Sequence, residues 1–289
     1  MTVLAYLPSP SVDALHIGPI QLRLYGLAIA IGVITAVAVA QRRWEARGGN
    51  PDDIATIALW AVPAGVIGAR LYHVLTDWRT YESNPLEALA IWHGGLGIPG
   101  GVIAGVATGA YVAKRKGLPV PDLLDVVAPA IPIAQAIGRL GNWANQELFG
   151  RPTTLPWGLR IDAANRPAGY EQFATFHPTF LYEGLWNLAL AFVLLSIDRR
   201  HRLRSGQIFI LYVIGYATGR LWVESLRIDP ASLVAGIRIN LWTSAIAIAG
   251  GTALFVIRQR RPPDGPPTAD KPTDPGTAEP ADQPSGAPT

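Results

Sequence analysis

The stretch IQLRLYGLAIAIGVITAVAVAQRRWEAR, residues 20–47, decides what kind of molecule this is. Residues 24–40 carry no charge, and arginines follow at positions 42, 43 and 47. A helix needs about 20 mostly apolar residues to cross the hydrocarbon of a bilayer, and residues 20–41 supply them. The basic cluster marks the side on which the helix stops, because lysine and arginine gather in cytoplasmic loops.

The same pattern recurs along the chain. Apolar segments lie at roughly 52–75, 95–113, 120–138, 178–198, 206–226 and 238–257. The fourth holds Asp122, Asp125, Pro129 and Pro132. It predicts a kinked span, tolerated where neighbours satisfy the carbonyls that proline frees. Basic clusters follow the third segment (Lys114, Arg115, Lys116), the fifth (Arg199, Arg200, Arg202, Arg204) and the seventh (Arg258, Arg260, Arg261). Seven spans put all four clusters on one side. The expectation is therefore an all-α, polytopic integral membrane protein of about seven transmembrane helices. Its N-terminus would lie outside and its C-terminus in the cytoplasm.

Composition agrees. Only 16% of the residues are charged, against about 25% in soluble domains. The net charge of +3 gives no footing for a nucleic-acid partner. There is no cysteine, hence no disulfide framework, thiolate metal site or cysteine nucleophile. The first apolar run lacks a basic region and a cleavage site before it, so it is expected to remain as an anchor. Residues 1–261 form the expected membrane-embedded domain. Its one long external connection, 139–177, is polar and predicts a small extracytoplasmic cap at about 143–176. Residues 262–289 hold nine prolines and no Val, Ile, Leu or aromatic residue. They predict a disordered cytoplasmic tail.

Under this topology the unusual polar residues meet at one depth. Tyr25 opens the first span. WHGGLGIPGG (92–101) opens the third, and GRLGNWANQELFGR (138–151), with Arg139 and Asn142, closes the fourth. HPTFLYE (177–183) opens the fifth, and Arg220 and Glu224 close the sixth. At about 1.5 Å per residue, Arg220 stands roughly 21 Å above a start at residue 206. Ionisable residues inside a span are by default a functional hypothesis. Arg220 and Glu224 also share a helix face at i, i+4 and can pair. Gly101, Gly105 and Gly109 read as close helix packing. Gly94, Gly95, Gly97 and Gly100, with Pro99, instead expose amides at a helix N-terminus, where anions bind. Beside two arginines they suggest a phosphate in the outer leaflet, because the guanidinium fork suits phosphate oxygens. His93, next to Trp92, and His177, before Pro178, read most simply as structural. A lipid or solute transporter is the rival class, and it would spread its polar groups along the whole depth.

The signature at 138–151 resembles that of the prolipoprotein diacylglyceryl transferases of bacterial membranes. LYGLAIAIG (24–32), WHGGLGIPGG, HPTFLYEGLWN (177–187) and GRLWVESLRID (219–229) resemble further family motifs in the family's order. The resemblance implies a multi-pass protein of the bacterial cell membrane. It would transfer the diacylglyceryl group of phosphatidylglycerol, a membrane lipid, to the lipobox cysteine of a prolipoprotein still bearing its signal peptide. Glycerol phosphate would be released. It implies a site of Tyr25, Arg139, Asn142, Glu147, Gly150, Arg220 and Glu224, with Gly100, Gly101 and His177 added as phospholipid contacts. Many members have a histidine where this chain has Pro99, so that histidine is not carried over. His93 is not its counterpart by alignment.

The chemistry needs no metal or cofactor, and no cluster of ligand spacing occurs in the sequence. A free thiol has a pKa near about 8.5, so the incoming cysteine must be activated. Arg139 and Arg220 would stabilise both the thiolate and the charge growing on the leaving phosphate. Asn142 would donate or accept beside them, and Glu224 would orient Arg220 or take the proton.

Overall fold

A computed structural model describes residues 6–17, 20–91, 94–201 and 203–260. Trp92, His93 and the proline-rich 262–289 segment lie outside the described residues. Each of the seven apolar segments is helical. They form α1 (Leu24–Glu45), α2 (Pro51–Thr76), α3 (Ile98–Arg115), the pair α4 (Val120–Val127) and α5 (Ala130–Ala144), α6 (Thr179–Arg200), α7 (Gln207–Glu224) and α8 (Ile239–Arg260). Three short antiparallel pairs join them: β1 (Ala14–Ile17) with β2 (Ile20–Arg23), β3 (Leu159–Arg160) with β4 (Thr175–Phe176), and β5 (Leu233–Val234) with β6 (Ile237–Arg238). The all-helical expectation thus meets a mostly helical chain with small hairpins at its turns.

The helices turn their apolar faces outward. Ile34, Leu59, Ile67, Phe192 and Ile246 are each about two-thirds exposed or more, and α8 buries only Ser244. Such a surface is stable in lipid and not in water. Four helices, α1, α2, α6 and α8, are long and apolar enough to cross a membrane, and the bent α4–α5 pair makes a fifth. By that measure α3 and α7 fall short of the seven expected. Four glycines dilute α3, while α7 carries Arg220 and Glu224 within 18 residues.

Contacts at the two ends show that successive elements run in alternating directions. At one end Arg43 and Arg47 of the α1 C-terminal region pair with Asp198 of α6 at 3.1 and 2.8 Å. Lys116, just past α3, pairs with Asp53 at the start of α2 at 3.0 Å. Arg258 near the end of α8 donates to the Ser205 carbonyl, just before α7. At the other end the starts of α1, α6 and α8 meet the ends of α5 and α7, as described below.

The predicted kink is a break of 41° between α4 and α5. Pro129 has no N–H, so the Asp125 carbonyl loses its helical donor. Arg43 supplies donors instead, from Nη2 to the Asp125 carbonyl at 3.0 Å and from Nε to the Val126 carbonyl at 2.8 Å. The Asp125 side chain faces the other way and caps α7. It accepts from the Gly206 and Phe209 amides at 2.7 and 2.9 Å. A buried carboxylate inside a span is thereby satisfied by the positive end of a neighbouring helix.

Arg70, buried in α2, was not singled out by the sequence. It donates to the carbonyls of Glu87, Ala88, Ala90, Gly94 and Gly95 at 2.5–3.3 Å. It also lies over the Tyr81 ring. One guanidinium therefore organises the connection that precedes α3.

Arg43→Ala should leave the two carbonyls at the proline break without donors and lower stability by on the order of 2 kcal/mol. Arg42→Ala, at an exposed neighbouring position, should do little. Thermal unfolding of the two variants in detergent checks this, and equal midpoints would refute the assignment.

Candidate active site

The C-terminal half of α5 is built to lie against α1. Gly138 and Gly141 face it. A Cβ at Gly141 would stand 2.6 Å from Tyr25 Cδ2 and 2.9 Å from its Cα, and one at Gly138 would stand 3.3 Å from Ile29 Cδ1. Small residues let the two backbones approach, so Tyr25 rests on the helix that carries Arg139 and Asn142. Tyr25, Arg139 and Asn142 then line one cavity of about 670 Å³. The rest of its wall is almost wholly apolar and comes mainly from α1 to α5, with Ile57, Val106, Leu123 and Ile131 among the lining residues.

Arg139 is anchored on two sides. Its Nη1 donates to Asn142 Oδ1 at 3.3 Å, and its Nη2 forms an ion pair with Glu183 Oε2 from α6. The other oxygen of Glu183 receives Arg220 Nη1 of α7 at 3.0 Å. Arg220 Nη2 pairs with Glu224 Oε2 at 2.8 Å, as the i, i+4 spacing anticipated. The opposite oxygen of Glu224 receives Arg238 Nε at 2.6 Å and Asn240 Nδ2 at 3.1 Å. Arg238 continues to Asp229, which also holds Arg227 at 2.6 and 2.9 Å. Four guanidinium groups thus alternate with three carboxylates across α5, α6, α7 and the β5–β6 hairpin.

Glu147 joins from the α5 side. Its Oε1 accepts from Asn142 and Asn145 at 2.9 and 3.3 Å. Tyr25, Arg139, Asn142, Glu147, Arg220 and Glu224 are thereby assembled at one end of the bundle. Glu183, Arg238 and Asn240 belong to the same network and were missed. Glu183 had a signal: it is a carboxylate in the first two turns of an apolar helix, inside a motif already noted. Arg238 and Asn240 had less, because the hairpin that returns them to Glu224 has no pattern at the level of single spans.

Four further anticipated residues, Gly100, Gly101, Gly150 and His177, make packing and hydrogen-bond contacts. The space in front of Gly100 and Gly101 is filled by α2. A Cβ at Gly68 would lie 2.6 Å from the Gly100 carbonyl, and one at Gly101 would lie 3.2 Å from Ala69 Cβ. These residues pack helices, as Gly105 and Gly109 do. Gly150 lets strands cross: its amide donates to the His177 carbonyl at 2.9 Å, and a Cβ there would lie 2.8 Å from His177 Cβ. The His177 Nδ1 meets the Tyr182 hydroxyl at 3.1 Å. Burial, and then the nearby Arg151, hold the imidazole below its ordinary pKa.

Residues 145–178 form a small layer over this end. Phe149, Leu159, Ile161 and Phe176 make its core, with Trp143 and Phe180 packed against it. Gln146 ties it to the N-terminal segment, donating to the Pro10 carbonyl and to Asp162. Arg151 donates its amide to the Leu226 carbonyl, just beyond α7.

Gly141→Ala should force Tyr25 off α5 and cost about 1–3 kcal/mol through overpacking. Gly184→Ala, whose Cβ would find its nearest neighbour at 4.0 Å, should be neutral. Comparative thermal unfolding decides between them. For Asp229, burial raises the carboxyl, but hydrogen bonds and charge from Arg227, then the charge of Arg238, outweigh it and leave the pKa below the ordinary value. Its contribution to stability is then complete above the unfolded pKa and lost as pH falls through the lowered folded value. Between about pH 5 and 8 this pair should contribute in full and add no pH dependence to the unfolding midpoint, which should then drop in acid. Asp229→Asn should lower the neutral-pH midpoint and flatten the acid limb.

Residues 12–257 match the family described as prolipoprotein diacylglyceryl transferase. The chain is 52% identical over 264 residues to phosphatidylglycerol–prolipoprotein diacylglyceryl transferase 2 of Streptomyces coelicolor, spanning 90% of this chain and 83% of that one. It is 46% identical over 289 residues to the phosphatidylglycerol–prolipoprotein diacylglyceryl transferase of Rhodococcus jostii, at 92% and 80% coverage. It is 52% identical over 267 residues to that of Frankia alni, at 91% and 70%.

Proposed function

The chain belongs to the prolipoprotein diacylglyceryl transferase family, and from that premise and the site we propose that it moves the diacylglyceryl group of phosphatidylglycerol onto the lipobox cysteine of a prolipoprotein. One observation carries the reading at the level of residues. Arg139, at the polar end of an apolar cavity, and Arg220, from a different helix, converge on a single carboxylate. A phospholipid has the same division, an anionic head joined to two hydrocarbon chains. The cavity walls would hold the chains, and the guanidinium forks would hold the phosphate.

In the proposed reaction the cysteine sulfur attacks the glyceryl carbon next to the phosphate ester. Arg139 and Arg220 meet the charge that grows on the leaving phosphate, in surroundings where such contacts count for more than in water. Asn142, whose amide is held by Glu147, accepts from Arg139 through its Oδ1 and so orients that guanidinium. The complete engagement of Glu224 by Arg220, Arg238 and Asn240 supports an orienting role for it. Pro99 offers no base, so the same two guanidinium groups would also favour the thiolate, and an opposite charge within ~4–6 Å lowers a pKa by roughly 1–3 units.

The alternating helix directions support seven crossings, with α3 turning Val102, Ile103 and Val106 outward as the longer spans do and α7 packed among its neighbours. Arg43, Arg47, Lys114, Arg115, Lys116, Arg199, Arg200 and Arg204 gather at the end away from the site. That asymmetry supports a cytoplasmic placement for them. The N-terminus and the 145–178 cap would then lie outside, and residues 262–289 would form a cytoplasmic tail.

Purified protein mixed with phosphatidylglycerol vesicles and a lipobox peptide should yield diacylglyceryl-modified cysteine, detected by mass spectrometry. Folded protein that yields none would refute the proposal. Arg139→Lys should lose at least about a hundredfold in rate, because it keeps the charge and loses the fork. Arg160→Ala, which removes an exposed cap contact to Tyr6, should be mild. A normal Arg139→Lys rate would show that a point charge suffices.

A further inference from the structure

Glu183 is the carboxylate that touches both Arg139 and Arg220, giving one oxygen to each. Its side chain is 8% exposed. Glu224 cannot replace it, because its oxygens are taken by Arg220, Arg238 and Asn240. A carboxylate and a phosphate present paired oxygens to which the same guanidinium forks donate. We propose that Glu183 is a resident counter-ion that occupies the phosphate seat between turnovers and drives out the glycerol phosphate product. The proposal rests on the transferase reading above.

The need for such a group follows from the charge balance of the step. The carbon–sulfur bond forms, and the bond from that carbon to the phosphate oxygen breaks. The electron pair stays on the phosphate, and the thiol proton is released to water. A phosphodiester with one negative charge thus becomes a monoester that carries more. Two guanidinium groups without a partner would hold the product more tightly than the substrate, most of all where the dielectric is low. Release would then limit turnover.

Glu183 offsets this. With it in place, Arg139 is not left as a bare buried charge when the product departs, which would otherwise be costly, and Arg220 keeps a second carboxylate beside Glu224. A recess of about 10 Å³ lies beside it, lined by Asn187, Tyr216 and Gly219 together with Glu183 and Arg220. It holds no more than a water, so Glu183 yields to phosphate by turning about its own side-chain torsions. Glu183 is therefore a positioning residue that competes with the lipid head, and this fixes the sign of its substitution. A purely structural bridge would, when broken, let the arginines splay and weaken anion binding. A competing counter-ion would, when neutralised, strengthen it.

The test is the affinity of free glycerol phosphate for the full-length protein in detergent, by titration calorimetry, alongside steady-state transfer to a lipobox peptide. Glu183→Gln should bind glycerol phosphate roughly tenfold tighter than wild type, as expected for removing one like charge at this range. KM for phosphatidylglycerol should fall, and kcat should fall with it because release slows. Glu183→Asp, which keeps the charge but cannot span both arginines, should lie between, and it decides the matter should the glutamine variant not fold. Unchanged or weaker binding in the folded variant overturns the proposal. The two readings fail separately. Wild-type protein that makes no thioether sinks the transferase reading even if Glu183→Gln binds glycerol phosphate more tightly. Normal wild-type transfer with no tighter binding in Glu183→Gln sinks only the counter-ion.

Discussion

Two guanidinium groups on helices that face lipid cannot stand without partners, and the ion pairs from Glu183 to Arg139 and Arg220 are what allow this site to exist. Each arginine comes from the end of a different helix, α5 or α7, and the carboxylate between them comes from the start of α6. The pairing therefore sets the relative depth of three helices as well as the spacing of two charges. Glu224 extends the same logic, because it is completely buried and meets Arg220 on one side and Arg238 on the other. Removing one member of such a chain strands the next, at a cost that far exceeds the worth of an exposed pair.

The opposite end of the bundle spends its arginines differently. Arg43 repairs a proline break and binds Asp198, while Asp125 caps α7. Arg43 and Asp125 are directed at backbone or at a fixed partner, and the result is a tie. At the site end, Arg139 and Asn142 also face a cavity with apolar walls. Under the proposed function, that open side is what separates Arg139 from a structural arginine. Both kinds lie in or next to a span and both are part-buried, so burial alone does not separate them.

The same distinction governs what the sequence made legible. Apolar length and the basic clusters located all seven helical segments within a few residues, because hydrophobic spans are dictated locally. The kink at Pro129 was legible for the same reason. Tyr25, Arg139, Asn142, Glu147, Arg220 and Glu224 were legible as polar residues out of place in apolar surroundings, and resemblance to a family gathered them. Gly100 was read with Gly94, Gly95 and Gly97 as an anion-binding entry because glycine at a helix start has two readings, exposed amides or close packing. Only the position of α2 decides between them. Arg238 and Asn240 were out of reach, since a two-residue turn at Ala235 and Gly236, both at positive φ, brings them back to a helix that had already ended.

That hairpin also bears on how the site is kept in register. The segment after α7 carries the Leu226 carbonyl, which binds Arg151 of the cap, and Asp229, which binds Arg227 and Arg238. The cap in turn rests on α6 through the Thr179 hydroxyl, which donates to the Leu148 carbonyl. Cap, hairpin and the ends of α5 and α7 are consequently one mechanical unit, joined by charge on one side and by backbone hydrogen bonds on the other. Along the cavity the helix seams are built of small residues: α1 meets α5 through glycines, and α3 meets α2 through glycines. Polar contacts hold their geometry against small shifts, whereas a seam of small residues can slide. An arrangement that fixes the arginines rigidly while leaving the apolar walls free to adjust suits a site that must hold one phosphate in one place and admit chains of varying shape.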